Sequence, residues 1–200
     1  DADVARSVEN LVDGAMYNAG QSCCAVERAY VHEKHYDAFV KGALELTRAY
    51  VLGDPLAEAT NMGPIAQPHH PEEPEGLVRE AVKGGAKLLA GGERTTAGGR
   101  GRFFQPTLLV DVPADARIMH EESFGPILAV SKVQSDDEAV ARMNDSPYGL
   151  TASVWTNDLS RAERMGEKRR FGTVFANRCD HVDPSLPWSG VGLSGRGHSL

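Results

Sequence analysis

The alternation of segment types in its second half most constrains how this chain can fold. Pro126 to Val133 has the length and residue types of a buried strand, and Ser135 with Glu138 forms a capping box ahead of a helix through Met143. Thr151 to Thr156 is again strand-like. Asp158 to Arg169 places Leu159, Ala162 and Met165 on one helical face, and Gly172 to Ala176 reads as a further strand. Parallel strands need a crossover connection, which is usually a helix. The expected class is therefore α/β, a largely parallel sheet flanked by helices.

The first half fits the same plan. Val4, Val8, Leu11, Val12 and Ala15 recur at helical spacing behind an aspartate able to cap the first turn, and Asn18-Ala19-Gly20 ends that helix. Ala25 to His32 reads as a strand, and Tyr36, Phe39, Val40, Ala43, Leu44 and Thr47 mark a second helix. Residues 59–74 read as a surface loop, 75–82 as a helix and 86–90 as a short strand. Gly91-Gly92 and Gly98-Gly99 bracket a polar turn. Phe103 to Val112 is an extended apolar segment in which Pro106 signals an edge or a bulge. Residues 1–177 are expected to form one catalytic α/β domain. Residues 178–200, rich in Pro, Ser and Gly, read as a long closing loop of the same domain.

Charge and cysteine usage exclude several functions. A net charge of −7 with scattered cations argues against a nucleic-acid partner. No apolar run is long enough to span a bilayer, and Asp1-Ala2-Asp3 reads as a helix start rather than a leader. Three cysteines, two of them adjacent, make no disulfide framework, which points to an intracellular reducing compartment, the cytoplasm first and an organelle second. The histidines, including neighbours His69 and His70, lack ligand spacing, so no metal site is expected.

Cys23 carries the sharpest chemical signal. A cysteine at a turn after Gly20 and Gln21 can expose its sulfur and aim its own backbone N–H at a reacting oxygen, as a thiol nucleophile requires. The alternative is that Cys23 and Cys24 are small buried hydrophobes, the commoner role of free cysteines. The segment Asn18-Ala19-Gly20-Gln21-Ser22-Cys23 resembles the Gly-Gln-x-Cys active-site motif of the aldehyde dehydrogenase superfamily. Glu121-Glu122-Ser123-Phe124-Gly125-Pro126 is similar to the Glu-Glu-x-Phe-Gly-Pro motif of that family. Asn144 with Tyr148-Gly149-Leu150-Thr151-Ala152 is similar to a third. The three matches keep the family's order, and the resemblance extends over essentially the whole chain.

The resemblance implies roles residue by residue. Cys23 would attack an aldehyde carbonyl to give a thiohemiacetal, which passes hydride to a nicotinamide and leaves a thioester for water to hydrolyse. Glu122 would accept hydrogen bonds from the nicotinamide ribose, and Phe124 would pack beside the ring of NAD or NADP. Ser22 and Cys24 would line the substrate tunnel, although Cys24 fits mere packing equally well. Trp188, in a stretch similar to Pro-Phe-Gly-Gly, would form a wall of that tunnel, and Asn177 would serve a structural hydrogen bond. The general-base glutamate and the oxyanion asparagine precede the nucleophile in family chains, whereas this sequence has 22 residues before Cys23. The cofactor is therefore expected to be held mainly by a cofactor-binding domain outside this chain, in a parent that is a homo-oligomer, dimer or tetramer. Near the end, Gly192 replaces a frequent lysine.

The resemblance implies an oxidoreductase fragment whose parent oxidises a small-molecule aldehyde to a carboxylic acid with NAD(P)+, and which does not turn over alone. Two alternatives stand beside it. One is a cofactor-independent thiol esterase, which needs a histidine base; His32 and His35 are near in sequence but are carried away by the strand. The other is a non-catalytic remnant with a structural or binding role.

Overall fold

A computed structural model describes residues 1–200 apart from Pro68, Arg169, Asp180, His181 and 198–200, with Arg100 described by its backbone alone. Part of the expected closing loop thus lies outside the described residues. Helix α1 (Val4–Met16) starts where the Asp3 side chain accepts a hydrogen bond from Arg6 N at 3.1 Å, and it buries Val8, Leu11, Val12 and Ala15. A tight 3-10 turn at Tyr17–Gly20 follows, with Asn18, Ala19 and Gly20 successively in left-handed conformation at φ 50°, 56° and 71°. This turn sends the chain back toward strand β1 (Arg28–His32), and α2 (Glu33–Arg48) follows without a loop, burying Tyr36, Phe39, Ala43 and Thr47.

After an irregular stretch come α3 (Glu72–Lys83), β2 (Lys87–Ala90), the hairpin of β3 (Arg94–Ala97) with β4 (Arg100–Phe104), β5 (Thr107–Val110) and β6 (Ile127–Val133). The second half continues with α4 (Asp136–Asn144), β7 (Tyr148–Gly149), β8 (Thr151–Val154), α5 (Leu159–Glu167), β9 (Thr173–Ala176) and β10 (Val191–Gly192). The main sheet has the order β1-β6-β5-β2; β1, β6 and β5 run parallel and β2 is antiparallel at the edge. Its central strands read as nearly unbroken apolar runs because helices cover the sheet. Leu108, Leu109, Leu128, Ala129 and Val130 are fully buried, and α1, α2 and α4 pack on the strands.

The α/β class with a mostly parallel sheet is thus as expected, and the departures are local. The strand anticipated from Ala25 begins at Arg28, because residues 22–25 close a turn. The segment 103–112 divides at Pro106 into β4 and β5, which belong to different sheets, since proline has no N–H to donate to a ladder. The polar turn expected between Gly91-Gly92 and Gly98-Gly99 contains β3. The capping box forms with a shift: Ser135 Oγ accepts from Glu138 N, while Glu138 reaches back to Gln134 N at 2.7 Å.

The alternating strands of the second half do not all join one sheet. β8 and β9 form a separate parallel pair carrying α5. Among the described residues β1 pairs only with β6, and β8 only with β9. Each keeps a free edge, and a cavity of about 320 Å³ is lined by both. Charged contacts hold the smaller unit in place: Arg161 pairs with Asp1 and Asp136, and Lys168 with Asp137.

One close approach ties the N-terminal third to the middle of the chain. A Cβ on Gly20 would sit 2.0 Å from the Gly125 carbonyl oxygen, and Gly20 also has positive φ. Gly20→Ala is expected to destabilise the protein by about 3 kcal/mol or more, read as a lowered unfolding midpoint. Gly76→Ala, where a Cβ meets nothing within 4 Å, should stabilise it by about 0.5–1 kcal/mol. Equal effects of the two changes would refute the close approach.

Candidate active site

The turn that carries the cysteines is built from its own polar groups. Asn18 Nδ2 donates to Gln21 O at 2.8 Å and Gln21 Nε2 to Asn18 O at 2.9 Å, while Ala25 N donates to Ser22 O at 3.0 Å. Gln21 Oε1 accepts from Ala66 N at 2.8 Å, which fastens the turn to the loop before α3. Cys23 is exposed and Cys24 buried. The Tyr17 hydroxyl bonds to Ser22 Oγ and lies 3.3 Å from Cys24 Sγ, so Cys24 and Ser22 are held inward beneath the turn. The two adjacent thiols therefore differ in kind: one faces solvent, the other belongs to a packed polar cluster.

The segment 119–126 lies against this turn. Gly125 abuts Gly20, and Phe124 takes a left-handed backbone conformation at φ 48°. For a bulky side chain that conformation costs about 1–2 kcal/mol and needs support from its surroundings. The support comes from two side chains. Glu27, just before β1, accepts from Ser123 N at 3.0 Å and from Phe124 N at 3.1 Å. His70 Nε2 contacts Phe124 O at 2.9 Å, and the two rings meet edge-on with centroids 5.9 Å apart. Sequence reasoning did not single out Glu27 or His70. A carboxylate at the head of an apolar strand was a readable signal for Glu27; His70 offered none, because its partner is a backbone carbonyl far along the chain.

Electrostatics further mark the site. Burial pushes the Cys23 thiol up, and neighbouring Cys24 and the Glu122 charge push it further, while its own backbone N–H works in the opposite direction. No histidine is among the groups acting on this thiol. Glu122 is exposed, and its carboxyl is raised by desolvation, with His70 opposing and Glu73 reinforcing that shift. Among the described residues Glu122 has no hydrogen-bond or ion-pair partner, so its oxygens are free to accept from a ligand. An exposed thiol near an unengaged carboxylate can form a covalent adduct with an electrophile while holding a hydroxyl-bearing ligand next to it.

Not every expected site residue converges on one cavity. Ser22, Cys23, Cys24 and Glu122 line the space shared by β1 and β8, whereas Phe124 and Trp188 are not among its lining residues. His32 and His35 do line it, from the far end of β1. His32 caps α2 by accepting from Lys34 N, and His35 lies 3.3 Å from the N-terminal amine. Trp188 is half-buried in a closing segment that folds back on the domain: β10 pairs with β7, and Gly149 N donates to Ser194 Oγ at 2.9 Å. Asn177 brackets the Thr156 backbone, donating to its carbonyl at 2.8 Å and accepting from its N–H at 2.9 Å. Among the described residues no cluster of His, Cys, Asp and Glu could hold a metal ion, and no helix is long and apolar enough to cross a membrane.

Comparison with known proteins identifies the family. The family model described as "Aldehyde dehydrogenase family" matches residues 1–200. Aldehyde dehydrogenase 1A1 of Bos taurus is 38% identical over 200 residues, covering 100% of this chain and 40% of its own length. Succinate-semialdehyde dehydrogenase [NADP(+)] of Deinococcus radiodurans is 38% identical over 198 residues, covering 99% of this chain and 41% of its own. The crystal structure of an NAD-dependent aldehyde dehydrogenase from Sinorhizobium meliloti superposes with a TM-score of 0.95 at 36% identity, over 100% of this chain and 40% of that one. The chain thus spans about two fifths of the length of these relatives. With the Cys23 turn packed on the Glu122–Phe124 segment and the match running from end to end, this chain belongs to the aldehyde dehydrogenase family.

Proposed function

We propose that this chain supplies the nucleophile and the nicotinamide-facing residues of an enzyme that oxidises an aldehyde to a carboxylic acid with NAD+ or NADP+. The observation that carries this reading is the contact between the exposed Cys23 turn and the segment bearing Glu122 and Phe124. Once deprotonated, the Cys23 sulfur adds to the aldehyde carbonyl carbon, and the Cys23 backbone N–H donates to the oxygen as charge develops there. A nicotinamide held beside Glu122 and Phe124 would supply the two-electron acceptor for the hydrogen on that carbon. The Cys23 thioester left behind is cleaved by water, releasing the acid and returning the thiol. The proton acceptor for that water and a second oxyanion donor are expected from residues outside this chain.

The residues present suit one end of the cofactor. The unengaged Glu122 carboxylate is an acceptor for the two hydroxyls of a ribose, and the fixed Phe124 ring offers an apolar edge to a planar ring. The chain spans about two fifths of its relatives' length, and the adenosine and diphosphate are assigned to a cofactor-binding domain outside it. Ser22 and Cys24 flank the nucleophile as tunnel residues. The closing segment 178–200 belongs to the same domain as 1–177, a reading its pairing with β7 supports, and Trp188 on that segment is assigned a tunnel wall by resemblance alone. Assembly as a homo-oligomer and a reducing compartment complete the proposal. A cofactor-independent esterase is the weaker reading, because no histidine acts on Cys23.

In the full-length protein, Cys23→Ser is expected to lower aldehyde oxidation by about a thousandfold or more, while Cys24→Ser stays within about tenfold of the parent. The reverse pattern would overturn the assignment. Because burial and nearby Glu122 hold the Cys23 thiol above its usual range, alkylation by iodoacetamide without cofactor should accelerate only at alkaline pH. Glu122→Gln removes a repelling charge and should move that profile to lower pH; an unmoved profile would separate Glu122 from the nucleophile.

A further inference from the structure

Glu27 is a carboxylate enclosed beside the candidate site, and the reaction above assigns it no task. It lies four positions after Cys23, with its backbone already committed to the sheet: Ala129 N donates to Glu27 O at 3.0 Å. Its Oε1 collects three donors, Ser123 N at 3.0 Å, Phe124 N at 3.1 Å and Ser123 Oγ at 3.3 Å, and Ser123 N also lies 3.1 Å from Oε2. Two successive backbone N–H groups converging on one site, with a left-handed residue in the turn, make a nest, and an anion is its natural guest. Here the guest is covalently part of the protein. The adjacent Arg28 holds the other end of the same segment, donating from Nη1 to Met119 O at 2.6 Å. Successive residues at the start of β1 thus fasten both ends of the stretch that carries Glu122 and Phe124.

We propose that Glu27 is a positioning residue for the cofactor: by gripping the Ser123 and Phe124 amides, with His70 holding the Phe124 carbonyl from the opposite end, it fixes the left-handed Phe124 backbone that aims Glu122 and the Phe124 ring at the nicotinamide. This rests on the cofactor roles assigned to Glu122 and Phe124 above. The Glu27 carboxylate is engaged by the Ser123 and Phe124 amides, and it acts through the segment it holds. Because the same residue continues into β1 directly from the nucleophile turn, sulfur and hydride acceptor share one rigid reference, and their separation does not depend on a surface loop.

The test uses the full-length protein, with the cofactor KM, kcat at saturating cofactor and the rate of Cys23 alkylation without cofactor measured side by side. Glu27→Ala should raise the cofactor KM about tenfold or more while alkylation stays within about twofold. Glu27→Gln keeps an oxygen for both amides and should recover most of that loss. If Glu27→Ala does not fold, Glu27→Asp, which draws the carboxylate back by one methylene, carries the same expectation. An unchanged cofactor KM in the folded variant, or a parallel fall of KM-independent activity and alkylation, overturns the proposal in favour of a general structural role. Glu122→Gln separates the two readings: if it too leaves the cofactor KM unchanged, the cofactor roles fail first; if it raises KM while the Glu27 variants do not, only the present inference fails.

Discussion

Two stretches of backbone, one ending α1 and one leading into β6, meet at Gly20 and Gly125 with no side chain between them. Much else follows from that contact. It is possible only because Gly20 carries no Cβ and sits in left-handed conformation, the last of three such residues in a row. It brings the turn carrying Cys23 against the segment carrying Glu122 and Phe124. It also leaves Phe124 in a conformation that the residue would not adopt alone, so the side chains around it, Glu27 and His70, are needed to hold what the glycines permit.

The sheet explains why the contact is rigid. β5 and β6 are buried along nearly their whole length, and parallel pairing of β1 with β6 carries the register of that core up to Arg28, next to the residues of the site. The functional groups themselves lie at strand ends and in turns, where backbone amides are not consumed by the ladder and can face a ligand. A firm core and unpaired amides thus occupy adjacent positions in the sequence.

Much of this could be read in the sequence. Helical spacing in α1 and α2, the Ser135 cap and the apolar runs of β5 and β6 all follow from local patterning, and the structure bears out the α/β class. The turn singled out Cys23, but patterning left open that both cysteines were buried; their difference comes from Tyr17 and Ser22 closing over the Cys24 sulfur. Nor could patterning see that β8 and β9 stand apart from the main sheet, since strand order is decided by long-range pairing. β3 was hidden by its polar sequence: it is held by pairing with β4, whose Phe103 and Phe104 are buried. His70 was invisible for the same physical reason, its role being set by where the loop before α3 comes to rest.

The free edges of β1 and β8 affect how this portion of the protein behaves in solution. Each presents a row of backbone donors and acceptors to the same cavity, and strand edges are where chains find one another indiscriminately when nothing occupies them. A polypeptide limited to residues 1–200 would therefore carry, next to Cys23, a template for self-association. Its solubility, more than its net charge of −7 suggests, would be governed by whatever extended backbone fills that gap.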